Sequence, residues 1–458
     1  MNSQSSQSLD SFILQLESLV AEKTKRSMEM YKRALKVFPG GTTYHIRWFS
    51  PYPLFITKGK GSRVWDVDEN VYDDYWMGHG ALILGHSPDF VNEAVIEALK
   101  TGSHLGFENP YSLEYAELLT KIVPGLEKIR FTCSGTEANM YAIRLSRAYT
   151  GRRYVVKIEG GWHGGLDTLH LGVTPPFEGP ESLGLPEDFV EYTLSVPFND
   201  LHAIEDRLKK FDVAAVIIEP VPGAGGILEP EKDYLKGVRE LTEKYGSLLI
   251  FDEVITGFRL SLGGAQEYFG VKADIVTLGK IIGGGMPGAG AFGGREDVME
   301  KLDHLKEPNP RKRSFHGGTF TGNPITCIAG LATIQYLASN RRLYESFNSL
   351  WEAVAKRIDS ICEEKDRICW VTNVANMIGI HFTSKKPKNV REAYMTRLNS
   401  KLYTALHLLM RYKGILYMTE KMPHLLPSIV HTQQQAERLV QAFGEALEVL
   451  AKLYRSQR

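Results

Sequence analysis

The stretch Thr277–Gly294, TLGKIIGGGMPGAGAFGG, holds one charged side chain, Lys280, among glycines and small apolar residues. It continues an apolar run, DIVTLG (274–279), that reads as a strand buried on both faces. A lysine at the end of such a strand sits where water is scarce. A desolvated amine has a lowered proton affinity and is a good nucleophile toward carbonyls, the Schiff-base role. The glycines around it let backbone approach a ligand closely.

Further strand-length runs lie upstream: KIRFT (128–132), RYVVKI (153–158), VAAVIIE (213–219) and SLLIFDE (247–253). Helical patterns at 136–151 and 232–246, each closed by a glycine, fall between them. Strands alternating with helices predict an α/β domain with a mainly parallel sheet. Ligands of such sheets sit outside the carboxyl ends of the strands, so the residues just after each run are the informative ones.

After the first run comes CSGTEAN, with Ser134, Gly135 and Thr136 opening a helix. Backbone N–H groups, hydroxyls and the positive end of the dipole suit a phosphate there, although the same turn also reads as an N-cap alone. EGGWHGG places Trp162 and His163 after the second run; an aromatic among glycines stacks on a flat ring or fills a core. Asp252 ends SLLIFD, one crossover before Lys280 and on the same rim. A carboxylate buried there needs a cation or hydrogen-bond donors. HGGTFTGNP (316–324) adds Thr319 in a second glycine turn. A phosphate turn, a stacking ring, an acid for a pyridinium nitrogen and a lysine for an aldehyde are the groups that pyridoxal 5'-phosphate requires.

Bulk properties fit an enzyme of this kind. The chain has 458 residues, 43% hydrophobic and 24% charged, enough for two or three domains with a large core. Lys+Arg and Asp+Glu are both 54, which argues against a nucleic-acid or anionic-membrane partner. The one basic cluster, Arg311, Lys312 and Arg313, reads as a solvated loop. Cys133, Cys327, Cys362 and Cys369 lack metal-ligand spacing, and reduced thiols are expected. No apolar run reaches the ~18 residues of a membrane span. The N-terminal segment lacks the pattern of a signal peptide, and Phe12, Leu16, Leu19 and Val20 repeat at helical spacing. A cytoplasmic protein with an N-terminal docking helix is expected.

The tail changes character. A connecting helix near 325–345 leads to a hairpin at 370–382, a long helix at about 390–413, a short strand at GILYM and a closing helix at 432–454. The expected division is an N-terminal segment, 1–80, a large cofactor-binding domain, 81–335, and a C-terminal small α+β domain, 336–458, the small domain drawing on both termini.

The residues quoted above, within FTCSGTEANMYAIRLSRAYTGR, KIEGGWHGG, LLIFDEVITGFRLSLGGAQEYFGVKADIVTLGKIIGGGMPGAGAFGGR and GGTFTGNP, resemble the class III (ω-type) aminotransferases of PLP fold type I. The branch with glutamate-1-semialdehyde 2,1-aminomutase is the most similar, and with GHGALILGHSP and FPGGTTYHIRWF the likeness spans about residues 38–335. The resemblance implies an aspartate aminotransferase-like large domain with a mainly parallel seven-stranded sheet. It implies that Lys280 and Asp252 are catalytic, Asp252 pairing with the pyridine nitrogen. Val254 and Trp162 would flank the ring, Ser134, Gly135 and Thr136 would hold the phosphate, and His163 and Glu219 would support the cofactor. Thr319 would complete the phosphate site of a second subunit in a homodimer. Arg47 would bind a substrate carboxylate, and His79 would be a second substrate-binding residue. The partners implied are a small-molecule amino donor and an oxo-acid acceptor. The sequence departs from the aminomutase pattern on the substrate side. His79 stands where Trp is usual, Ala224 where Asn is usual, and 417–432 has no QFEAGF-like match; Glu420 lies nearby without aligning to its glutamate. These departures favour an aminotransferase for a carboxylate-bearing amino compound, with the aminomutase reaction and a racemase as alternatives.

Overall fold

A computed structural model of the chain describes residues 8–418 and 422–456; Glu420 lies outside the described residues. The strand runs assemble into a seven-stranded sheet in the order Lys128–Thr132, Gly290–Gly294, Ile275–Gly279, Leu248–Asp252, Val213–Ile218, Tyr154–Ile158, Thr193–Val196. The pairs from Ile275–Gly279 onward are parallel, and Gly290–Gly294 runs antiparallel to both its neighbours. This is the expected mainly parallel seven-stranded α/β sheet. Thr193–Val196 and Gly290–Gly294 escape the sequence reading. GAFGG offers little apolar area, but a Cβ on Gly290 would lie 2.3 Å from both the Ser134 carbonyl and the Thr132 hydroxyl, so glycine is what lets this strand fit beside the 132–134 turn.

Both sheet faces are covered, as continuous apolar strands require. Ala215, Ile217, Ile250 and Ile275 pack on Ala138, Ala142 and Leu145 of the helix Gly135–Thr150. The alternate residues Val216, Ile218, Leu249 and Phe251 face the opposite way, onto Ile204, Leu235 and Val238. Gly151 and Gly246 end their helices in the left-handed conformation, as their positions predict.

The chain ends meet in a second sheet. Ile56–Lys60, Arg63–Asp66 and Val71–Asp74 form a meander, and Ile415–Leu416 from the tail adds in parallel to Val71–Asp74. The hairpin Trp370–Val374 and Met377–His381 is extended by His424–Leu425. The helix Leu9–Lys23 buries Leu16 and Val20 against Leu408 of the helix Lys401–Tyr412.

Three details differ from the sequence reading. The expected helix at 390–413 is two, Val390–Met395 and Lys401–Tyr412. Between them, Thr396 and Leu398 exchange backbone hydrogen bonds with Ser384 and Phe382, so this segment is drawn out as sheet-like backbone. The connecting helix resolves into Pro324–Ser339 and Leu343–Glu364. Cys362 and Cys369 are disulfide-bonded rather than reduced, because the turn after Leu343–Glu364 brings their Cα atoms to 5.7 Å. Among the described residues no helix is long and apolar enough to cross a membrane.

Candidate active site

Asp252 ends its strand with a fully buried carboxylate and a full set of donors. Oδ1 accepts the Val254 amide at 3.0 Å; Oδ2 accepts Asn139 Nδ2 at 2.8 Å and His163 Nδ1 at 2.7 Å. Burial alone would raise this carboxyl, but the His163, Val254 and Asn139 bonds outweigh it and hold the group below its ordinary range. Asn139 is itself fixed, accepting the Thr277 hydroxyl at 2.7 Å and donating to the His163 carbonyl at 3.1 Å. One side chain thus joins the helix Gly135–Thr150, the Trp162 loop, the Asp252 strand and the Lys280 strand.

The Ser134 turn is built by close contact. Ser134 caps the helix through its hydroxyl, which accepts the Glu137 amide at 3.1 Å. The amides of Gly135 and Thr136 fall in the first turn, where N–H groups have no partner within the helix. A Cβ on Gly164 would lie 2.0 Å from Thr136 Oγ1, so the Trp162 loop lies directly against this turn. Val254 closes the other side: a Cβ on Gly135 or Gly279 would lie 2.8 or 3.0 Å from its methyl groups. The Ser134 turn and the strand that leads into Lys280 therefore both lie against Val254.

Lys280 takes up a positive φ of 49°, which a lysine adopts only where its surroundings impose it. Burial lowers its amine, the charges of Asp252 and Glu219 partly restore it, and Arg259 lowers it further. Glu219 accepts the Trp162 amide at 2.8 Å and the Gly223 amide at 2.9 Å. Burial raises its carboxyl, with the Asp252 charge adding to the effect. The Trp162 ring lies edge-on to His170, with centroids 5.6 Å apart.

His79 sits in a left-handed turn, its ring 4.6 Å from Trp76 and 6.5 Å from Tyr44. Burial lowers its imidazole to about 3, and Lys280, His424 and Arg47 add to the effect. Arg47 is exposed and donates to the Thr43 hydroxyl at 2.9 Å. Ala224 is exposed in the turn next to Gly223. Thr319 is exposed and lines a cavity of about 210 Å³ with residues 104–109.

Asn139 and Lys157 escape the sequence reading. Each left a faint signal, a polar residue on an otherwise apolar helix face or strand. Lys157 is fully buried and donates to the carbonyls of Gly161, Leu169 and Leu171 at 3.0, 3.1 and 2.6 Å, which holds the Trp162 loop in place. A cavity of about 980 Å³ at the amino ends of the strands holds none of these residues.

The residues present fit pyridoxal phosphate. Asp252 accepts three hydrogen bonds where a carboxylate offers about four sites, leaving room on Oδ1 for a protonated ring nitrogen. His163 Nε2, on the ring whose Nδ1 is bonded to Asp252, is buried with no partner among the described residues. The comparisons agree. The profile of the aminotransferase class-III family matches residues 44–447. A glutamate-1-semialdehyde 2,1-aminomutase of Archaeoglobus fulgidus is 42% identical over 93% of this chain and 100% of its own length. A solved ω-transaminase from Sphaerobacter thermophilus is 32% identical over 92% of this chain and 97% of its own, with a TM-score of 0.84. A glutamate-1-semialdehyde aminomutase from Pseudomonas aeruginosa in complex with PMP is 26% identical over 96% and 98%, with a TM-score of 0.87.

Proposed function

Because the chain belongs to the class-III aminotransferase family, whose cofactor is pyridoxal phosphate, we propose that it moves an amino group from a carboxylate-bearing amino compound to an oxo acid. The observation that carries this reading is the convergence of the Ser134 turn, Asp252 and the strand leading into Lys280 on Val254, with His79 within electrostatic reach of both Lys280 and Arg47.

Bound pyridoxal phosphate supplies an electron sink for the carbon that carries the amine. Lys280 Nζ would hold it through the aldehyde and then take and return the proton at that carbon, work that suits a lowered amine. Asp252 would keep a proton on the pyridine nitrogen, and its Asn139 and His163 bonds keep it ionised for that purpose. The Gly135 and Thr136 amides would bind the phosphate. Val254 and Trp162 would bracket the ring, and Glu219 would fix the Trp162 loop from below. Arg47 would meet the substrate carboxylate, with His79 as a neutral hydrogen-bonding neighbour.

Intermolecular transfer is favoured by the departures at His79, Ala224 and 417–432, all on the substrate side. Intramolecular transfer is the second reading, favoured by the names of relatives at 37–42% identity. A homodimer completes the proposal. Thr319 is exposed near Phe107, Leu105 and Phe320, which are 88%, 45% and 54% exposed, a surface suited to a partner subunit.

The test is turnover of holoenzyme with alanine, β-alanine, β-phenylalanine and glutamate-1-semialdehyde, each with and without an oxo acid. Turnover that depends on the acceptor supports transfer; acceptor-free conversion of the semialdehyde replaces it with the aminomutase reading. Lys280→Ala should abolish both activity and the borohydride-trapped adduct.

A further inference from the structure

Arg259 ends the turn that begins at Asp252 and is 0% exposed. Its partners are neutral. Nη1 donates to Asn376 Oδ1 at 3.1 Å and to the Pro427 carbonyl at 2.9 Å; Nη2 donates to the Gly80 carbonyl at 2.9 Å. Nε has no partner among the described residues. A cation held against carbonyls alone is costly to bury, so it is retained where those carbonyls must be held together.

The carbonyls belong to two segments far apart in sequence. Gly80 follows His79 directly, and Pro427 lies three residues beyond His424. Backbone bonds from Leu426 to the Tyr75 carbonyl, 2.8 Å, and from Ile429 to the Ile83 carbonyl, 3.0 Å, lace the segments on either side of the guanidinium. Gly80 has φ of 79°, and a Cβ there would lie 2.9 Å from Leu426 Cδ1. His424 is nearly buried, and its Nδ1 is bonded to the Met422 carbonyl at 2.9 Å. His79 and His424 lie within each other's electrostatic reach, and both feel Lys280.

We propose that Arg259 is a positioning residue that pins the His79 segment to the His424 segment, so that the two imidazoles form one substrate-facing wall beside Lys280. The proposal rests on the reading of Lys280 as the reactive lysine. The wall is hydrogen-bonding rather than cationic, since burial keeps both imidazoles neutral near pH 7. The Arg259 charge also reaches the lysine electrostatically. The charged groups acting on Lys280 are Asp252, Glu219 and Arg259, and of these Arg259 alone lowers its proton affinity.

Two readouts separate this role from a merely structural one in the holoenzyme. The first is KM against kcat for whichever donor of the panel turns over; the second is the pH midpoint of the visible band, which needs no substrate. Arg259→Gln should raise KM about tenfold or more with a smaller change in kcat, and should move the midpoint upward. Arg259→Lys should restore the midpoint but not KM, because it keeps the charge and loses the fork. His424→Gln and Gly80→Ala should raise KM without moving the midpoint, and they decide the matter if Arg259→Gln does not fold. Coloured, folded variants with unchanged KM would overturn the proposal. A colourless wild-type protein that cannot be reconstituted would instead overturn the Lys280 reading beneath it.

Discussion

Asn139 Nδ2 donates at 2.8 Å to the same Asp252 oxygen that accepts from His163. The same amide also donates to the His163 backbone carbonyl at 3.1 Å. Removing it leaves a buried carboxylate short of a donor. Asn139→Ala should cost about 1–3 kcal/mol of stability and move the Asp252 carboxyl upward. Thermal unfolding and a pH titration of the visible band check both. A variant as stable as wild type with an unmoved titration would contradict the role given to Asn139.

Gly164 has φ of 86°, and its missing Cβ leaves room for Thr136. Gly164→Ala should push the phosphate turn out of place and weaken cofactor binding about tenfold or more, equivalent to ~1.4 kcal/mol. Gly165→Ala is the control, because nothing lies within 4 Å of its Cβ position. Titration of apoprotein with pyridoxal phosphate distinguishes them; equal affinities would exclude a role for this contact.

Glu253 is 1% exposed and accepts the Ala265 and Gln266 amides and the Thr256 hydroxyl. Burial pushes its carboxyl from an ordinary 4.5 up to about 7. Between those values the unfolded chain releases a proton that the folded chain keeps. The stability from this group is therefore full below about pH 4.5 and is lost as pH rises toward 7. Glu253→Gln removes the loss, so the variant should gain on wild type by up to about 1.4 kcal/mol per pH unit across that window. Urea unfolding at pH 5 and pH 8 measures it, and a constant gap would refute the assignment.

Phe107 is 88% exposed near Thr319. If this surface meets a partner subunit, Phe107→Asp should shift sedimentation toward monomer and weaken cofactor retention together. A variant that sediments as wild type would place the interface elsewhere.

Much of the large domain was legible because its strands are short apolar runs ending in chemistry-bearing residues. KIRFT is a strand over the residues its pattern marks, and Asp252 and Lys280 stand at adjacent strand ends. What was hidden depends on contacts between distant segments. GAFGG reads as a glycine loop until the Ser134 turn is seen to need its missing side chains. The 390–413 pattern reads as one helix until Phe382 and Ser384 draw its middle into backbone pairing. Asn139, Lys157 and Arg259 look like stray polar residues until their partners are in place.

By itself the sequence determined an α/β fold class with a mainly parallel sheet and singled out Lys280, Asp252 and the Ser134 turn as candidates, because local periodicity marks the strands and these residues follow directly after them. Only the tertiary structure decided what surrounds them. It showed that Asp252 is held ionised by three donors and that Lys280 is strained into a left-handed turn. It also showed Arg259 joining Gly80 to Pro427. The physical reason is common to all of these: hydrogen-bond satisfaction of buried groups is a property of segments brought together, and no local pattern records which ones will meet.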